Sequence, residues 1–208
     1  MKITSVECYL ADGGLGGFVT VKVNTDEGIS GFGEAGLAYG KCSEAAFGQC
    51  QDFAKMVIGM DPFNTEEIWE HLHRHTFWGM GGGVVVTSAM AAIDTACWDI
   101  KGKALNVPVY KLIGGKTNKK LRAYASQLQF GWSHTDLHVP QLKPEDYANV
   151  AKKAVFEEGY DALKYDFFSF DEEGRKISVE EYTRLLHPKY QKMIEKRVEA
   201  VRNAIGDD

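Results

Sequence analysis

The stretch from Ala89 to Gly115 constrains the fold of this chain more than any other. Met90, Ile93, Cys97, Ile100 and Ala104 recur at steps of three and four, which stacks them on one face of a helix. Thr87 and Ser88 come just before the run, where a hydroxyl can cap free backbone N–H groups, and Asn106 with Pro108 closes it. The spacing predicts a helix over residues 89–104. Its face is built mostly from small residues, so a neighbouring element must approach closely. Asp94 falls on that face, one turn from Met90, and a carboxylate there needs a partner or polar surroundings.

Ahead of this helix the pattern is strands and then helices. Ile3, Val6 and Cys8 give a weak strand signal, whereas Val19, Val21 and Val23 alternate cleanly. Asp26 to Gly28 makes a turn and residues 29–34 return, so the chain opens as a β-hairpin or meander. Ser43 to Gly59 reads as a helix with Ala46, Cys50, Phe53 and Val57 on one stripe, and Thr65 starts another. Gly79 to Gly83 reads as a hinge or ligand loop. This order is α+β. Past Gly114 and Gly115 it changes to a strand over 121–128, a helix over 145–158 stopped by Gly159, a strand over 160–166, and a helical stretch over 179–205 broken at His187-Pro188. Strand, helix, strand, helix begins a parallel α/β array. No third strand precedes Asp208.

A net charge of −5 with no long run of either sign argues against nucleic acid as the main ligand. No apolar stretch reaches membrane-spanning length, and the N-terminal residues lack the apolar core of a secretory signal. Cys8, Cys42, Cys50 and Cys97 form no CxxC pair, a spacing that suits neither zinc nor a disulfide framework, so a reducing cytoplasm is the expected location.

Several short patterns resemble chemistry. Gly31-Phe32-Gly33-Glu34-Ala35-Gly36 fits GxGxxG, yet its strand belongs to a hairpin and no helix follows directly, so the glycines read as turn and close-approach positions. Gly115-Lys116-Thr117 lacks the earlier glycine of a phosphate loop, since Tyr110 stands there. His71 and His75 would share a helix face and could grip a metal, or simply form a polar helix end. Lys164 is the sharpest candidate. It lies in a largely apolar strand, and a period of two puts Ala162, Lys164 and Asp166 on one side. In a parallel α/β barrel that side lines the active site, and the competing reading is an ion pair without chemistry.

Ala91-Ala92-Ile93-Asp94-Thr95-Ala96-Cys97-Trp98-Asp99-Ile100-Lys101-Gly102-Lys103, followed by Pro108-Val109-Tyr110 and Leu112-Ile113-Gly114-Gly115, resembles the AIDxAxWDxxGK and PVYxLLGG pattern of the enolase superfamily. The resemblance is to its mandelate racemase and muconate lactonizing enzyme family, in the acid-sugar (galactonate-type) dehydratase branch. Residues 21–35 are similar to the family's opening hairpin, and Trp78-Gly79 through Gly83 to the dehydratases. The resemblance implies an α+β capping domain over residues 1–115, then the first two βα units of a modified TIM barrel over 116–208, with the barrel incomplete. It implies that Mg²⁺ binds a substrate carboxylate and stabilises an enediolate once a base removes the α-proton.

By position, Lys164 is the first lysine of the family's KxK motif, and Asp166 replaces the second, which is the usual racemase base. That departure points away from a two-base racemase and towards dehydration of a sugar acid to a 2-keto-3-deoxy acid. Lys164 and Asp166 are the catalytic candidates. Gly16, Gly17, Tyr39, Lys41 and Trp78, in or near the capping loops, are the substrate-binding candidates. The three acidic Mg²⁺ ligands of the family lie on later strands, so they are expected beyond residue 208, and the chain alone is expected to be incomplete and inactive. The alternatives are a racemase, epimerase or cycloisomerase of the same superfamily, or a non-catalytic capping fragment. The partners implied are a small carboxylate or sugar-acid substrate and further copies of the chain, with no nucleic acid and no membrane.

Overall fold

In the computed structural model, which describes residues 1–12, 17–37, 40–131, 139–183 and 185–207, the alternation of Val19, Val21 and Val23 becomes the buried face of an antiparallel sheet. Its strands are β1 (Ile3–Asp12), β2 (Gly17–Thr25) and β3 (Ser30–Glu34), in that spatial order. The weak signal of β1 has a cause: the register with β2 shifts between Ile3 and Ser5, so the inward side changes from odd to even positions there. Contacts divide the chain into two units, Met1–Thr117 and Asn118–Asp208.

In the first unit, α1 (Ser43–Met56), α2 (Thr65–Arg74) and α3 (Val84–Leu105) join the sheet around one apolar core. Ala46, Cys50, Phe53 and Val57 are all fully buried within it. The small face of α3 meets β3. A Cβ on Gly31 would lie 2.0 Å from the Ala96 carbonyl oxygen, and one on Gly33 would lie 1.9 Å from that of Ala92. The GxGxxG pattern is therefore a packing device on a hairpin strand. Asp99 secures the crossing by accepting from the Phe32 N–H at 3.0 Å and from Lys103 Nζ at 2.7 Å, while Lys103 also donates to the Ser30 carbonyl.

The predicted start of this helix is corrected: it begins at Val84, and Thr87 lies inside its first turn, donating to the Gly83 carbonyl. Val84, Val85 and Val86 read against a helix because they are β-branched, but that preference is worth only a few tenths of a kcal/mol per residue and core packing by Val86 overrides it. At the other end Asn106 adopts φ 52°, and its N–H caps the Gly102 and Lys103 carbonyls. The short α4 (Val109–Leu112) follows Pro108.

In the second unit, the predicted strands over 121–128 and 160–166 reduce to one parallel bridge between Ala125 and Leu163. Ala125 N–H donates to the Ala162 carbonyl at 3.0 Å, and Lys164 N–H donates to the Ala125 carbonyl at 2.8 Å. Leu121 is 84% exposed, and on that flank Arg122 bonds the Asp161 carbonyl at 2.8 Å through its side chain in place of a backbone ladder. The predicted helix over 145–158 is α5 (Pro144–Lys152) continued by a π-helical turn, Lys153–Glu157, and ended by Gly159 at φ 77°. The last helical stretch divides into α6 (Val179–Tyr182) and α7 (Pro188–Ile205) at His187-Pro188, where the sequence placed the break. Tyr147, Ala151 and Val201 bring α5 and α7 together.

Candidate functional site

Lys164 and Asp166 stand just past the parallel bridge, where the backbone leaves the pairing with Ala125. Lys164 is exposed, whereas Asp166 is half-buried, and no salt bridge joins the two among the described residues. The ion-pair reading is thereby set aside. Asp166 is held by Gln129, whose Nε2 donates to Asp166 Oδ2 at 3.3 Å, while Asp166 N–H donates to Gln129 Oε1 at 3.3 Å. Ser169 closes the turn after it by donating its N–H and Oγ to the Asp166 carbonyl.

The sequence reading missed Gln129 and also Arg197. Arg197 is fully buried on α7 and donates to three carbonyls: Phe167 at 2.6 Å, Phe170 at 2.8 Å and Leu142 at 2.6 Å. Its guanidinium lies 4.9 Å from the centroid of the Tyr147 ring. It fixes the segment directly after Asp166. A second network shapes the excursion beyond it, where Arg175 binds Asp171, both carboxylate oxygens of Glu181 and the Tyr190 hydroxyl. Arg175 and the Tyr190 hydroxyl, together with the Ser178 N–H, hold the Glu181 carboxyl far below the usual carboxylate range.

The substrate-binding candidates belong to the first unit. Gly16 and Tyr39 lie outside the described residues, as does the side chain of Trp78, whose backbone sits in the 3₁₀ turn Phe77–Gly81. Gly17 begins β2, and a Cβ there would lie 2.6 Å from Ser43 Oγ. Lys41 is exposed in the turn Gly40–Cys42 that leads directly into Ser43. The structure thus brings Gly17 next to the turn that carries Lys41.

Other reactive groups serve the core. Burial pushes the Cys50 and Cys97 thiols up to about 12, so neither is a ready nucleophile. Burial also raises the Asp94 carboxyl, with Glu66 adding to the shift and Lys101 opposing it. His75 Nδ1 lies 3.0 Å from the His71 carbonyl, and their rings are 4.5 Å apart. Among the described residues no three His, Cys, Asp or Glu side chains gather as a metal site. Among the described residues the donor set does not fit Mg²⁺.

A groove of about 850 Å³ runs along the second unit between the 161–167 segment and the last turns of α7. Lys164 is on its rim, Asp166 is not, and its walls include Val155, Leu163, Tyr165, Val198 and Val201. The backbone N–H and C=O groups of Leu163 and Tyr165 have no hydrogen-bond partner among the described residues. No helix among those residues is long and apolar enough to cross a membrane.

Residues 14–114 match the family described as mandelate racemase / muconate lactonizing enzyme, N-terminal domain. A D-galactonate dehydratase of Pectobacterium atrosepticum is 42% identical over 126 residues, which are 60% of this chain and 31% of the relative. A D-mannonate dehydratase of Novosphingobium aromaticivorans is 39% identical over 124 residues, 60% of this chain and 30% of the relative. Among solved structures, a member of the enolase superfamily from Salmonella Typhimurium superposes with a TM-score of 0.92 at 48% identity, covering 100% of this chain and 53% of its own. A protein of Zymomonas mobilis does so with a TM-score of 0.91 at 50% identity, covering 100% and 52%. The chain spans about half the length of these solved structures, and its matches to the two curated dehydratases cover less than a third of theirs.

Proposed function

Since residues 14–114 belong to the mandelate racemase / muconate lactonizing enzyme family as its N-terminal domain, we propose that this chain supplies the N-terminal part of an acid-sugar dehydratase of the galactonate type. The observation that carries this reading is the 48% identity, sustained along the whole chain, to an enolase-superfamily structure. The D-galactonate and D-mannonate dehydratases among the relatives narrow the reaction class.

Dehydration of a sugar acid removes a proton beside the carboxylate and expels the neighbouring hydroxyl. The departing proton is weakly acidic, so holding the charge that develops on the carboxylate dominates the barrier. In this reading the exposed Lys164 ammonium pairs with the substrate carboxylate and its developing oxyanion. Asp166 accepts a hydrogen bond from a substrate hydroxyl. Gly16, Gly17, Tyr39, Lys41 and Trp78 remain the substrate-binding candidates of this reading, the residues that would set specificity. In this reading the family's acidic Mg²⁺ ligands and its α-proton base belong to later barrel strands than the two begun by this chain. Further copies of the complete polypeptide assemble with it in the cytoplasm.

The test is to incubate the complete polypeptide with Mg²⁺ and a panel of sugar acids, following 2-keto-3-deoxy acid formation. Lys164→Ala is expected to lower kcat by about 10²–10³, the loss typical of one oxyanion donor. Full activity in that variant would remove the role given to Lys164. Epimerised substrate without any keto acid would replace dehydration by the racemase reading.

A further inference from the structure

We propose that Gln129 is a positioning residue that presents Asp166 to a bound polyol, a role whose catalytic consequence rests on the dehydratase reading but whose geometry does not. Gln129 is 1% exposed, and its primary amide makes a reciprocal pair of bonds to Asp166. The amide N–H₂ ties Asp166 Oδ2, and the amide oxygen takes the Asp166 N–H. The clamp is itself anchored, because the Gln141 N–H donates to the Gln129 carbonyl at 2.8 Å. On the far side, Ser169 holds the Asp166 carbonyl. Asp166 is therefore fixed at its N–H, its C=O and one carboxylate oxygen.

The other oxygen, Oδ1, has no hydrogen-bond partner among the described residues. A carboxylate with one oxygen engaged and one open is suited to accept from a ligand hydroxyl in a set direction. A residue that merely joined two chain segments would need only the backbone bond. The additional bond to Oδ2 restricts the rotation of the Asp166 carboxylate, which makes this a positioning arrangement.

Two measurements decide the point. In the 208-residue chain, amide hydrogen exchange at Asp166 is expected to accelerate at least about tenfold in Gln129→Leu, which lacks the acceptor. Unchanged exchange would overturn the tether. In the complete polypeptide, Gln129→Glu keeps the size and the acceptor but sets a carboxylate against Asp166. Its kcat is expected to fall about a hundredfold at neutral pH and to recover towards wild type in acid, as a protonated Glu regains a donor. Gln129→Leu is expected to stay low at every pH. Parallel pH profiles for wild type and both variants would reduce Gln129 to a structural tie and overturn the proposal. Should Gln129→Leu fail to fold, exchange at Asp166 in the near-isosteric Gln129→Glu, compared between neutral and acid pH, gives the same decision. A wild-type polypeptide without dehydratase activity would count against the proposed function alone, because the exchange measurement judges the tether independently.

Discussion

Gly33 leaves no room for a methyl group, since a Cβ there would stand 1.9 Å from the Ala92 carbonyl oxygen on α3. Gly33→Ala must push β3 off the helix, and overpacking of this kind costs about 1–3 kcal/mol. The expected outcome is a lower urea midpoint for the first unit, and an unchanged midpoint would contradict the close-approach account. The need for close approach was legible in the sequence, in the glycines at 31 and 33 and in the small residues of the helix, but that Ala92 and Ala96 meet those glycines was not. Gln129 and Arg197 were not legible. A buried polar side chain is explained by what it bonds, and Arg197 bonds backbone carbonyls, which every residue type offers equally. Lys164 and Asp166 stood out because two charges in an apolar strand break the local pattern.

Among the elements, α7 carries the strongest constraint. Arg197→Met removes the donor of three bonds to carbonyls in the 142–170 region, and is expected to destabilise the second unit by about 3 kcal/mol or more. Thermal melting should show that loss, with the first unit unaffected. The α6 segment before α7 is expected to respond to pH through Glu181. Glu181 is held below its ordinary 4.5 by Arg175 first, then by Tyr190 and the Ser178 N–H. A carboxyl depressed in the folded state contributes stability that is present above its unfolded pKa and lost as pH falls towards its folded one. Wild type should therefore lose more Tm than Glu181→Gln between about pH 5 and pH 3, and equal losses would show that the network is not coupled to folding. Helices were the easiest elements to read, since their apolar stripes survive every local irregularity. The strands of the second unit were harder, because two residues of pairing replace a ladder that the alternation alone would allow.

At the scale of the molecule, the two units differ in how well their apolar surface is covered. The sheet and three helices of the first share one continuous core. Among the described residues, the second divides its interior among three smaller clusters and keeps a groove of about 850 Å³ beside backbone groups of Leu163 and Tyr165 that have no partner there. The groove's depth depends on where α7 lies, which no local pattern in the sequence sets. An unpaired strand edge above an apolar trough acts as a template, because any extended segment can satisfy its backbone groups while covering its walls. Two copies of the chain can serve each other this way at high concentration. Sedimentation should show self-association that rises with concentration, and Val198→Lys, which places a charge in the trough, should weaken it; a monomer at every concentration would show that the edge is inert. The consequence is practical: if self-association is found, the concentration at which the chain is handled sets whether that backbone meets solvent or a second copy.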